Sequence, residues 1–566
     1  MKKFTKHLAL ALTGIVFSGM VVGCGGKPVV EDNDADDETM YQLKVSNYEG
    51  GFGRVWLDEA AKRFEDKYKD LELGDGRKGV NVNIESSKNG TAGQSLIANL
   101  SKSEYHVFFA EDTYYYSLTS SNAVADITDI VTGSLSEITN GAETGTIEEK
   151  LDPTIKSLYD LDGKYFALPH YEAPKGLIYD VDLFDQKGLW MAKDGTFGKK
   201  ADIGAENLTT GPDGEMNTYD DGLPNTFDDF FKLCDYMVDE AGVTPFTWTG
   251  KHIGYTSSAL AQIWADHEGK DQFYLNYSME GTATSLAVDV NENGIATSYL
   301  TGDDAKITGE NAYKLQRQEG KYVTLAFAKR LESNSDYYTS LSYENSEDNI
   351  AAQKTYLRSR VATSQPIAFL FEGVWWENEA DESGHFDSLK VYGGETRQTR
   401  RFGLMPYPKA TAAKVGQNRT IVDTTNNSAS FIRKNIEDEQ IMKVAKLFLQ
   451  FVHTDNEMQE FTVNTSTMKP LNYSVPEDKM ARMSYFGKDI AALRNNDKVD
   501  IVYAYSDHEI FVNHNDKFYL NSFAWENTKY DLNPLSVFHQ TNAPTVKDYF
   551  KTMVADREAD WANWKN

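Results

Sequence analysis

Two stretches set carboxylates beside aromatic rings at what read as strand ends. Phe108-Phe109-Ala110-Glu111-Asp112 closes an apolar run on two acids, and Tyr114, Tyr115 and Tyr116 follow almost at once. Phe369-Leu370-Phe371-Glu372-Gly373-Val374-Trp375-Trp376-Glu377 closes another run on two tryptophans framed by acids. An ionised carboxylate accepts hydrogen bonds through both oxygens, which suits two neighbouring hydroxyls of a polyol such as a sugar. Tyrosines after a strand end pack the next helix, an account that leaves Asp112 over. Indole is costly to expose, so Trp375 and Trp376 cover either core or ligand, and two adjacent indoles in one loop hardly share one core.

Hydrolysis is the rival chemistry for the same residue types. A retaining glycosidase needs two carboxyl groups about 5 Å apart, and an inverting one sets them farther apart. Glu372 and Glu377 are the available pair, yet they are sequence neighbours with nothing to place them across a cleft. No serine elbow, phosphate loop or His/Cys set with zinc spacing occurs. Asp289-Val290-Asn291-Glu292-Asn293-Gly294 starts like a calcium loop, but its twelfth position is Leu300, so a hairpin turn at Asn293-Gly294 is preferred. Gly211 to Gly222 is richer in oxygen ligands. Asp213, Asn217, Asp220 and Asp221 are the candidate metal set there, with solvated acidic turns as the commoner account.

Elements must position these groups. Tyr41 to Val45 reads as a strand, and Trp56 to Tyr68 as a helix with Leu57, Ala60, Ala61 and Phe64 on one side. Val80 to Ile84, Ser95 to Leu100 and Tyr105 to Ala110 continue as strand, helix and strand. That alternation implies βαβ units and a mostly parallel sheet, in which ligands bind where strands end at their carboxyl side. Roughly 525 residues follow residue 39, more than one core serves, so at least two lobes are expected. Cys234 lies in an amphipathic helix, Phe230 to Met237, and is expected to be a small buried apolar residue.

The amino terminus fixes an address. Met1-Lys2-Lys3 and the apolar Leu8 to Gly23 describe a secretory signal too short to span a membrane comfortably. Val21-Val22-Gly23-Cys24 resembles the bacterial lipobox, which implies cleavage after Gly23, thioether lipidation of Cys24 and acylation of the new amino terminus. Several acyl chains hold a bilayer far more firmly than one. Residues 24–39 then form an acidic tether. The chain carries 57 basic and 86 acidic side chains, a net charge of −29. Such a surface repels nucleic acid and anionic headgroups.

Read together, these stretches resemble the extracellular solute-binding proteins of bacterial ABC importers, in the large carbohydrate-binding branch that includes maltose-binding protein. The carrying residues are Ala61-Lys62-Arg63-Phe64-Glu65, Ala110-Glu111-Asp112, Ala123 to Ile130, Ala167 to Phe184, Pro245-Phe246-Thr247-Trp248, Glu372 to Trp375 and Phe402 to Pro408. The resemblance implies an α/β fold of two lobes (periplasmic-binding-protein-like, type II), each a mostly parallel sheet flanked by helices, with a ligand cleft between them. It puts Asp112 at a sugar-binding carboxylate, Phe246 and Trp248 in an aromatic platform, and Trp375 at a stacking position with Trp376 beside it. Trp525 lies near a late stacking aromatic, and Glu172 one position from an acidic contact. Some members hold structural Ca²⁺ in an insert like 211–222; no cofactor is otherwise required. The loop Tyr48-Glu49-Gly50-Gly51-Phe52-Gly53 departs from the maltose binder's charged residues, which suggests a different or longer sugar. Inserts near 190–222 and 270–360 exceed that plan too.

The resulting expectation is a receptor anchored to the outer face of the cell membrane only by its lipid. It captures an oligosaccharide, hands it to the transmembrane subunits of an ABC permease and does no chemistry. A monomer is expected, with no nucleic-acid partner. The expected division is signal 1–23, tether 24–39, first lobe 40–170, second lobe 171–365, first lobe again 366–427, and second-lobe return with a helical end 428–566. Crossovers are expected near Pro169 to Gly176 and Gln365 to Ile367, with a return near Ser428 to Ile432. A secreted carbohydrate-active enzyme is the first alternative. A lobed lipoprotein for peptides or metal chelates is the second, disfavoured by the many aromatics and the absence of a basic pocket.

Overall fold

The computed structural model describes residues 37–88, 92–111, 113, 115–362, 365–423, 428–506, 510, 529–530 and 533–564. From its first strand, β1 (Tyr41–Tyr48), the chain winds through α1 (Val55–Tyr68), β2 (Val80–Ser87), α2 (Gly93–Asn99) and β3 (Val107–Ala110). The spacing of apolar residues dictates α1: Trp56, Leu57, Ala60, Ala61 and Phe64 recur at helical intervals and all are buried. β1 pairs in parallel with both β2 and β3. β3 is buried along its whole length, as an unbroken apolar run demands.

β4 (Leu168–Pro169) is the last strand before the chain leaves this sheet, and β5 (Lys175–Asp180) already belongs to another. There follow α3 (Phe227–Tyr236), β6 (Thr244–Thr247), α4 (Gly254–Glu268), α5 (Glu319–Leu331), β7 (Ile367–Gly373), α6 (Trp376–Glu382) and β8 (Phe402–Leu404). The second sheet runs β8-β5-β7-β6, with β7 parallel to β6 and antiparallel to β5. α4 is buried on nearly every side and packs on β5, β7 and α5. Cys234 is a fully buried thiol on α3, and burial pushes it well above its ordinary pKa.

Beyond β9 (Arg419–Asp423), strand β10 (Ala429–Ile432) returns to the first sheet, antiparallel to β3 and β4, and completes the order β2-β1-β3-β10-β4. α7 (Glu439–Phe451) and α8 (Asp455–Thr465) cover that sheet; Phe448 of α7 meets Phe64 edge-on at 5.0 Å. α9 (Tyr485–Arg494) then packs on β8, and β11 (Val499–Tyr503) pairs in parallel with β9. α10 (Val546–Trp564) buries Tyr549, Phe550, Met553 and Trp561 in the second core. There are thus two lobes with separate cores, one around β1 to β4 and β10, the other around β5 to β8.

The first crossover falls between Pro169 and Lys175, as the sequence predicts. The later boundaries are reversed. β7 and β8, from Ile367 to Leu404, belong to the second lobe's sheet, and Ser428 to Ile432 lead back to the first lobe, not the second. Gln365 to Ile367 is no crossover. The cause is that inner strands of both sheets are equally apolar, so nothing in such a run says which sheet it will join. The segment 270–360 extends the second core, burying Phe273, Tyr277, Leu286, Tyr322 and Leu325. The Asn291 to Ile295 turn closes a hairpin, with Asn291 Oδ1 accepting from the Asn293 and Ile295 amides. Among the described residues no helix is long and apolar enough to cross a membrane.

Candidate ligand site between the lobes

Trp375 stands on the short link between β7 and α6, at the carboxyl end of a strand that is otherwise buried throughout. By sequence the indole belongs to the second lobe. It packs, half-buried, against the first lobe's core. Phe52, from the loop after β1, meets it edge-on at 6.3 Å and touches the Tyr171 ring at 4.3 Å. Tyr255, in the first turn of α4, meets the same indole edge-on at 5.8 Å. Lys175 opens β5 and holds its ammonium 5.5 Å from the Tyr255 ring and 5.3 Å from that of Trp375.

Glycine makes this approach sterically open. A Cβ on Gly51 would stand 2.3 Å from Trp375 Cδ1, and one on Gly373 would stand 2.2 Å from the same ring. The Gly51 carbonyl accepts a hydrogen bond from Asn378 Nδ2 at 3.0 Å, and Lys88 pairs with Glu379 at 3.8 Å. Both contacts join a first-lobe loop to α6, so the lobes touch across the site.

Acids surround the rings. Glu372 is fully buried; its Oε1 accepts from the Gly373 amide at 2.9 Å, while Oε2 has no hydrogen-bond partner among the described residues. Burial, and then the neighbouring Glu379, push its carboxyl well above the usual range, with the Gly373 amide, the Gln353 side chain and Lys175 opposing. Glu379 Oε2 accepts from Asn349 and Gln353, each at 2.8 Å. The Tyr171 hydroxyl donates to Glu111. Burial, then Glu372, Glu379, Glu111 and the Tyr48 hydroxyl, raise the Tyr255 phenol. Side chains of both lobes therefore share one electrostatic environment.

Of the residues predicted from sequence, only Trp375 lies in this group among those described. Phe246, Trp248 and Trp376 are corrections, since each is fully buried in a core. Phe246 stacks on Phe369 and Phe371. Trp248 is covered by Tyr338 at 5.2 Å and Tyr343 at 5.5 Å, on a segment that bridges to the β6 edge at Phe246. That segment belongs to the large insert, so the expected platform is roofed by added chain. Trp376 packs edge-on to Phe402 and Phe486. Glu172 also departs from expectation: its carboxylate accepts from Arg494 Nε at 2.9 Å and the Tyr503 hydroxyl at 2.8 Å, a structural tie beside the first crossover. Glu377 is held by Arg397 and Ser484, which removes it from the proposed glycosidase pair. Asp112, Trp525 and Cys24 lie outside the described residues.

Two of the metal set, Asp220 and Asp221, are buried and hydrogen-bonded within their own loop. Asp220 accepts from the Asp213 amide at 3.1 Å and the Thr218 hydroxyl at 2.8 Å, and Asp221 accepts from the Asn217 amide at 2.8 Å. Burial pushes Asp220 up to about 7. No group of three or more His, Cys, Asp or Glu among the described residues is arranged to hold a metal ion. Phe52, Tyr255, Lys175 and Glu379 were missed as site residues. The one signal was the glycine-rich loop after β1; nothing near Tyr255 marks it as facing Trp375.

No protein-family model matches the chain, and no curated protein matches its sequence. Solved structures do resemble it. The solute-binding protein RafE with raffinose superposes with a TM-score of 0.52 at 11% identity, covering 92% of this chain and 99% of that one. A manno-oligosaccharide-specific solute-binding protein from Bifidobacterium animalis subsp. lactis, bound to mannotriose, gives 0.52 at 13% identity over 93% and 96%. The bacterial solute receptor AcbH, with a preference for β-D-galactopyranose, gives 0.50 at 12% identity over 92% and 99%. The chain therefore has the two-lobed α/β fold of solute-binding proteins.

Proposed function

We propose that this chain is the lipid-anchored, extracellular receptor of an ABC importer, which captures an oligosaccharide between its lobes and delivers it to the permease without chemical change. The observation that carries the reading is the place of Trp375, a half-buried indole of one lobe set against aromatic rings of the other. A pyranose has apolar C–H faces and a rim of hydroxyls, so rings cover its faces while carboxylates and amides take the rim. Closure of two lobes over it strengthens each hydrogen bond by excluding water, and presents a permease with a shape that differs from the empty one. Three structures of the same fold carry sugar ligands or a sugar preference in their own descriptions, which supports a sugar here. Lipidation at Cys24 supplies the anchor.

The test is a panel of oligosaccharides against the purified mature chain, read by thermal shift, with every hit incubated and examined for cleavage products. A raised melting temperature with intact sugar is expected. Turnover would assign the chain to carbohydrate-active enzymes instead.

A further inference from the structure

Three features of the site point the same way. First, Glu372 Oε2 is an acceptor sealed from water with no hydrogen-bond donor among the described residues, an arrangement that disfavours the empty site unless a ligand supplies one. Second, the protein already seats a cation among these rings: the Lys175 ammonium lies within 5.5 Å of both Tyr255 and Trp375, a distance at which aromatic faces attract positive charge. Third, among the described residues Glu379 and Glu111 stand with Glu372 around the cluster, in a chain of net charge −29, and burial keeps the Glu372 carboxyl protonated until a cation stands beside it. A cleft lined by one sign of charge focuses the opposite sign into it. A sugar hydroxyl would satisfy the unmet oxygen with one hydrogen bond but would not offset the charge of Glu379 and Glu111 or of an ionised Glu372. A protonated amine supplies three donors and the balancing charge.

We infer that the site selects an amino sugar: an oligosaccharide bearing a free, protonated amine, whose ammonium is taken by Glu372 with Glu379 and Glu111 while Trp375 and Tyr255 cover the sugar ring. This rests on the receptor reading above and narrows its ligand. The Lys175 ammonium occupies the ring faces in the unliganded cleft and gives them up to the sugar's own.

The experiment is calorimetric titration of the mature chain with four probes at a pH that keeps amines charged. They are short glucosamine oligosaccharides, their fully N-acetylated counterparts, neutral manno-oligosaccharides, and spermidine as a polyamine without a sugar. Glucosamine oligosaccharides are expected to bind at least about tenfold tighter than the N-acetylated ones, the range of one charge-assisted hydrogen bond. E372Q brings the two affinities to within about twofold, since it removes that charge. K175Q, which deletes the competing ammonium and leaves Glu372 in place, tightens the glucosamine ligand alone and guards against a misfolded E372Q. Equal or better binding of the N-acetylated or neutral sugars overturns the amino-sugar inference and leaves the receptor standing. Spermidine binding as tightly as glucosamine overturns it too, because charge alone is then read. Silence from every saccharide removes the receptor reading itself.

Discussion

Trp375 and Trp248 separate binding from packing most sharply. Truncating the half-buried Trp375 to alanine is expected to weaken sugar binding by about 2 to 4 kcal/mol, with the melting temperature of the free protein little changed. Trp248 is sealed under Tyr338 and Tyr343, so Trp248→Ala instead costs about 3 to 5 kcal/mol of folding stability. Calorimetry and denaturant melts on both variants distinguish the two roles; an affinity lost at Trp248 with stability intact would restore the platform that sequence suggested. Gly51 tests the approach of the lobes. Valine there drives a branched side chain into the Trp375 ring, and small-angle scattering of the unliganded variant should show a larger radius of gyration than the parent.

The elements that carry the site are tied together beside the first crossover. Glu172, in the link between β4 and β5, holds Arg494 of α9 and the hydroxyl of Tyr503 on β11. Glu172 is almost fully buried, so Arg494→Met leaves a carboxylate without its counter-ion and should lower stability by about 3 to 5 kcal/mol in urea unfolding. A loss under 1 kcal/mol, on the order of an exposed pair, would mean that the tie is a surface contact. The insert acts at this level as well. By adding a segment to the β6 edge and laying two tyrosines on Trp248, it converts the expected sugar platform into core and leaves the β7–α6 link as the aromatic face between the lobes.

The molecule as a whole carries a buried basic cluster whose titration should appear in its stability. Lys469 is fully buried in the first lobe; its Nζ donates to the His170 carbonyl at 2.9 Å, lies 3.2 Å from His170 Nδ1, and faces Phe461 and Trp56. Burial lowers its pKa from 10.5 to about 7, and burial also holds His170 far below its usual value and His453 at about 3. Between about 7 and 10.5 the unfolded chain binds the extra proton, so the Lys469 contribution to stability grows as pH rises through that window and is least below it. Buried acids such as Glu372, with raised pKa values, run the other way, so the comparison must be with a variant. Lys469→Met should gain on the parent by about 2 to 3 kcal/mol more at about pH 7 than at about pH 9. A pH-independent difference would mean that Lys469 keeps its proton at both.

What the sequence determined by itself was local. The apolar spacing of α1 and the alternation of strand and helix from Tyr41 to Ala110 specified the parallel β2-β1-β3 core, because burying one face of each element is a short-range demand. The crossover between Pro169 and Lys175 was expected only through the family resemblance, and Trp375 was legible because two neighbouring indoles cannot both hide easily. The lobe assignment of residues 366–432, the roof over Trp248 and the meeting of Trp375 with Phe52, Tyr171, Tyr255 and Lys175 were decided only in the tertiary structure. Those contacts join residues up to some hundreds of positions apart, and their partners are chosen by how two cores and an insert pack, which no local pattern of residues encodes.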